Sequence, residues 1–186
     1  MDPTVLAPEL ERTRQWLERA VIGLNLCPFA KAVHVRGGVR WVLSDATDEE
    51  ALLADLVHEL HRLHDESVDA VETTLIVHPH VLGDFEDYNQ FLDVADAAIS
   101  ELDLEGEIQV ASFHPHYRFA GSEPDAIEDF SNRSPYPTLH LLRESSIARA
   151  VAAFPDAEQI YGRNIETLRA LGHAGWRALW ADTPGR

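Results

Sequence analysis

Thr138-Leu139-His140-Leu141-Leu142-Arg143, running on into Glu144-Ser145-Ser146-Ile147-Ala148-Arg149-Ala150-Val151, can be read in two ways, and the choice decides the fold. Read as a strand over 138–143, it supplies a fourth strand and leads into a helix from Ser145 to Phe154. Read as the start of one long helix it also fits, because Leu139, Leu142, Ile147, Val151 and Phe154 keep roughly helical spacing. The strand is the preferred reading, and the helix stays open at this point.

Upstream, His114 to Pro137 carries four prolines, one glycine and no apolar period. That is longer than a structureless connection usually runs in a compact domain, which marks the stretch as functional or disordered. Three further strands are expected at Val39 to Leu43, Glu72 to Val77 and Glu107 to Phe113. Between them, Thr47 with Glu50 suits a capping box for a helix with the stripe Leu53, Leu56, Val57, Leu60 and Leu63. Asp84 suits the cap of a helix carrying Tyr88, Phe91, Leu92, Ala95, Ile99 and Leu102. The first helix runs from Pro8 to about Leu24. Downstream, Asp156 and Gln159 resemble a capping box for a last helix ending at Gly172, after which a tryptophan-rich tail packs back on the body. Strands alternating with crossover-length helices predict an α/β fold: a single-domain sandwich over residues 1–186 with a mostly parallel or mixed sheet of about four strands flanked by helices. A ferredoxin-like α+β sandwich is the alternative.

Composition narrows the function classes. The chain of 186 residues has 32 acidic against 15 basic side chains, a formal charge of -17 that repels phosphate backbones and anionic membranes. Nucleic acid and membrane are therefore not expected partners, and oligomeric state is not legible. No apolar run approaches a membrane span, and Met1-Asp2-Pro3 lacks the basic start of a signal peptide, so the cytoplasm is the expected compartment. The single cysteine, Cys27, excludes an internal disulfide and any multi-thiolate metal site, leaving His and carboxylate ligands for a divalent metal. Lys31 is the only lysine, a bias that a GC-rich genome or salt adaptation explains as well as chemistry does.

Several residues carry candidate chemistry. His78-Pro79-His80 and His114-Pro115-His116 each follow an expected strand, and if those strands are parallel both motifs leave the sheet at its carboxyl edge, where α/β ligand sites form. His78 and His114 are the candidate metal ligands. Equally, proline ends strands and histidine is a tolerable turn residue. Cys27 is a candidate nucleophile with His114 as its base, although a helix C-terminus would raise its pKa and a buried cysteine packs as a small apolar residue; His140 is a further catalytic candidate. Asn132, Arg133, Tyr136, Arg143 and Arg163 form a candidate anion site, since guanidinium binds carboxylate or phosphate in two-point fashion. Each arginine can instead pair with one of the many carboxylates. Asn164 faces the core side of its helix and needs a partner, which a ligand or the loop backbone would supply. Phosphate-binding glycine loops and a Gly-x-Ser-x-Gly elbow are absent.

The segments Gly23-Leu24-Asn25-Leu26-Cys27-Pro28-Phe29-Ala30, Ala111-Ser112-Phe113-His114-Pro115, Asn132-Arg133-Ser134-Pro135-Tyr136-Pro137, Leu139-His140-Leu141-Leu142-Arg143-Glu144 and Arg163-Asn164-Ile165 together resemble the uncharacterised bacterial family catalogued as domain of unknown function 1415. The resemblance spans nearly the whole chain. It implies no reaction and no cofactor, and it implies that an acidic residue often stands at the place of His116, which favours His114. The functional expectation is a small cytoplasmic enzyme acting on an anionic metabolite. Its alternative is a non-catalytic protein that binds a ligand or a metal.

Overall fold

Four short runs rich in β-branched residues and leucine become strands: Val39–Leu43 (β1), Thr73–Val77 (β2), Ile108–Phe113 (β3) and Thr138–Arg143 (β4). A computed structural model describes residues 6–154 and 156–181, and in it the strands form one open mixed sheet of order β1-β2-β4-β3. β1 and β2 are parallel neighbours; β4 is antiparallel to both β2 and β3. Thus β1, β2 and β3 share one direction and β4 is inserted against them. The strand reading of 138–143 holds, because residues 138–142 pair on both sides and Arg143 pairs with Ile108 of β3. The chain order strand, helix, strand, helix, strand, strand differs from the ferredoxin-like alternative, and the α/β reading holds.

The helices are α1 (Pro8–Trp16, continued by a π-helical turn over Leu17–Ile22), α2 (Ala30–Val35), α3 (Glu49–Asp65), α4 (Phe85–Glu101), α5 (Glu144–Ala153) and α6 (Ile160–Ala178). Asp84 caps α4 as expected, its carboxylate accepting from the amides of Glu86 and Asp87. Two caps differ from expectation. α3 begins at Glu49, so Asp48 and not Thr47 stands before it, accepting from the Ala51 amide at 2.8 Å. α6 begins at Ile160 after a short 3-10 turn, and Gln159 donates to Asp156 within that turn, 3.2 Å, instead of closing a capping box. Gly172, with φ of 62°, breaks α6 where the sequence places the helix end, and a further turn carries Trp176 back into the body.

Alternation along the strands splits the core in two. One face meets α3 and α4, where Leu52, Leu56, Leu60, Tyr88, Phe91 and Ile76 are buried. Each such leucine contributes roughly 1.5–3 kcal/mol by leaving water. The other face carries Trp16, Leu17, Val21 and Leu26 against Leu168 and Trp176. Three cross-sheet rows lie on this second face: Val39, Thr73, Leu142 and Gln109; then Trp41, Leu75, His140 and Ala111; then Leu43, Val77, Thr138 and Phe113. Among the described residues, no helix is long and apolar enough to cross a membrane.

Candidate functional site

Because β2 and β3 run the same way, His78 and His114 leave the sheet at one edge, both against the ring of Tyr88 with centroids at 5.8 and 5.0 Å. His114 is buried, and its two ring nitrogens are both engaged: Nε2 donates to the Leu82 carbonyl, 3.1 Å, and Nδ1 accepts from the His116 amide, 3.0 Å. His78 donates from Nδ1 to the Val81 carbonyl, 3.2 Å, leaving its buried Nε2 without a partner. Burial pushes the His78 pKa down to about 4, and it lowers that of His114 as well. Together the two rings hold the turn at 79–84, in which Leu82 takes a left-handed φ of 56°. Among the described residues, no group of three or more His, Cys, Asp or Glu side chains converges as a metal site.

The proposed anion anchors in the long loop are turned to the loop itself. Arg133 donates from Nε to the Tyr117 carbonyl, 3.1 Å, pairs with Asp125 at 2.7 Å and lies over the Phe130 ring at 4.2 Å. Asn132 donates to the Ser112 carbonyl, 3.2 Å. The Tyr136 hydroxyl accepts from Arg12, 3.3 Å. Buried Asp129 ties two stretches of the loop together by accepting from the Phe119 amide and the Ser122 hydroxyl, 3.1 and 2.8 Å. Arg163 is exposed and lies over Phe154 at 5.1 Å.

A cavity of about 640 Å³ opens on the other face of the sheet, and three of the sequence-selected residues line it: Cys27, His140 and Arg143. α1 with its π-helical turn forms one wall, and the segment from Cys27 to Arg36 and helix α5 form the others. Neither α2 nor α5 has a fully buried residue, so these walls are lightly anchored. Asn164 donates to the Leu26 carbonyl, 2.9 Å, and so fixes the backbone next to Cys27; its partner is the loop. Arg143 is buried at the strand end. Its Nε and Nη2 donate to the carbonyls of Val71 and Glu66, the latter at the C-terminus of α3, where the helix dipole favours a cation.

His140 lies on the cavity floor, and its protonation is set by a chain of hydrogen bonds. The Thr73 hydroxyl donates its one proton to the Leu141 carbonyl, 2.6 Å, so at 2.7 Å it accepts from His140 Nε2–H. That tautomer leaves a lone pair on Nδ1. Desolvation pushes the pKa of His140 down to about 4, which keeps the ring neutral at neutral pH.

Sequence reasoning did not single out Thr73, Glu72, Arg36, Arg149 or Trp16, all of which line the cavity. Glu72 is ion-paired with Arg36 and lies 4.0 Å from Arg149. The one usable signal was the alternation of Thr138, His140 and Leu142 on a strand face, which places a histidine among apolar neighbours and calls for a cross-strand partner such as Thr73.

The family model described as a protein of unknown function, DUF1415, matches residues 9–178 of the chain. Neither the curated proteins nor the solved structures hold a match.

Proposed function

Given that the chain belongs to the DUF1415 family, which carries no assigned reaction, we propose that it is a small enzyme acting on an anionic metabolite in the cavity over His140. One observation carries this reading: a neutral imidazole, held in one tautomer by Thr73, keeps Nδ1 unprotonated in a cavity of ligand size. Such a group accepts a proton from whatever lies against it. A bound anion raises its basicity, because a nearby negative charge favours the imidazolium. Cys27 lines the same cavity as a free thiol and is the nucleophile available there, with His140 the group that takes its proton. We place this activity in the cytoplasm, whose reducing state keeps the lone cysteine free.

The apolar character of most of the lining favours a second reading, a carrier that binds the same ligand without turnover. Thermal-shift and turnover assays over carboxylate, sulfonate and phosphate-ester metabolites separate the two. Wild type is expected to be stabilised by an anion that Ala111→Trp, which fills the floor, no longer binds. Turnover of that anion is expected to fall about 10²- to 10⁴-fold in His140→Gln while its binding persists. Binding without turnover in wild type gives the carrier. Ligands indifferent to Ala111→Trp sink both readings.

A further inference from the structure

The cavity is charged at one end and aromatic at the other, and the sheet register sets the distance between them. Glu72 stands just before β2, Arg143 closes the antiparallel β4, and Arg36 precedes β1, so all three lie at the amino edge of β1 and β2. Arg149 reaches Glu72 from α5. At the far end Phe113 closes β3, its ring 5.0 Å from Trp16 and 5.8 Å from His140. Phe113 is level with Val77, through Thr138. From Glu72 to that level is five strand residues, about 17 Å at ~3.3 Å each. Leu75 and Ala111 floor the interval beside His140.

The charges at the opening reverse those of the chain. The lining includes three arginines and one carboxylate, in a protein with 32 acidic and 15 basic residues. Arg143 is spent on backbone carbonyls. Arg36 and Arg149 share Glu72 between them while their side chains stay 51% and 59% exposed, which leaves one positive charge and several guanidinium donors open. Their existing partner is itself a carboxylate. A second one balances the charge, whereas a phosphate dianion exceeds it.

Building on the reading of this cavity as the ligand site, we propose that its ligand is an amphipathic monocarboxylate, a medium-chain acyl acid. The carboxylate sits at Arg36 and Arg149 beside Glu72, and the chain runs along the sheet past His140 to end at the Trp16–Phe113 wall. His140 is level with Leu75, three strand residues from Glu72, so the part of the chain about 10 Å from the carboxylate lies against it and is the reacting region.

Calorimetric titration of the whole chain with butanoate, hexanoate, octanoate and dodecanoate, with octanol and inorganic phosphate alongside, tests this. Affinity is expected to rise about three- to fourfold per added methylene, then to stop rising once the chain meets the end wall. The double variant Arg36→Gln/Arg149→Gln is expected to weaken octanoate about tenfold and to leave octanol unchanged. Glu72→Gln, which removes the internal competitor, is expected to tighten octanoate. The wild-type series stands even if a variant fails to fold. Octanoate binding no better than octanol, or no dependence on chain length, overturns the inference. Phosphate or another polar anion binding in a way that Ala111→Trp blocks, with octanoate inert, overturns it while leaving the cavity reading intact; if no anion shows such dependence, both fall.

Discussion

Lowering the pH from 7.5 to 5 should destabilise this protein through two particular imidazoles. His78 and His140 each have a pKa of about 4 in the folded chain against 6.5 unfolded, and burial is the principal cause for both. Because the unfolded chain binds protons first, the stability these groups contribute is complete above about pH 7 and is lost as pH falls through 6.5 toward 4. At pH 5 the loss is about 2 kcal/mol for each, hence about 4 kcal/mol together. A domain of this size has a total stability of about 5–15 kcal/mol, so the loss is large enough to measure. Urea unfolding at several pH values checks it, with His78→Asn to keep a donor for the Val81 carbonyl and His140→Gln to keep one for Thr73. Each single variant should lose about half of the pH dependence, and the double variant should keep only the smaller share due to His114. Acidification also relieves the repulsion of a chain of charge -17, but that effect is common to all four proteins and cancels in the comparison. A double variant with the wild-type slope would refute the assignment.

Two further outcomes follow from the packing. Tyr88→Phe removes a hydroxyl that donates to the Thr138 carbonyl at 2.8 Å and accepts from the Phe113 amide at 3.2 Å; with both left unsatisfied, stability should fall by about 1–3 kcal/mol in urea unfolding, and an unchanged midpoint would mean that water replaces the hydroxyl. Gly172→Ala forces a side chain onto a φ of 62° with an extended ψ, which should cost about 1–3 kcal/mol and expose Trp176, read as a red shift of tryptophan emission; an unshifted spectrum with unchanged stability would show that the break in α6 tolerates a side chain.

The sheet was largely legible because its strands announce themselves by local chemistry. Thr73 to Val77 is β-branched and bounded by a proline motif, and the alternation across Thr138 to Arg143 was visible, although a helical period competed with it. Its central, antiparallel position was not, since nothing local tells a strand which two neighbours it will join. The same limit governs the site. Cys27, His140 and Arg143 could be named from residue type, but Thr73, the partner that fixes the His140 tautomer, lies 67 residues away. Arg36 and Arg149 meet at Glu72 only because the fold brings α5 back over the start of β2. Helix α2 escaped detection for another reason: six residues with none buried leave no apolar stripe to read. The arginines of the long loop were visible in the sequence, yet their partners, the Asp125 carboxylate and the Tyr117 carbonyl, are settled by how that loop closes on itself.

The insertion of β4 has a consequence for how the protein is made. Among the described residues, β4 is the last strand in chain order and the only partner β3 has in the sheet. Until residue 143 is synthesised, β3 has no hydrogen-bonding neighbour and β2 has only β1. A nascent chain of that length presents two open strand edges beside a half-covered apolar layer, the kind of surface that aggregates or recruits a chaperone. Closing the sheet and placing His140 in its cavity are then one event, so the cavity cannot exist on a chain that has not finished pairing.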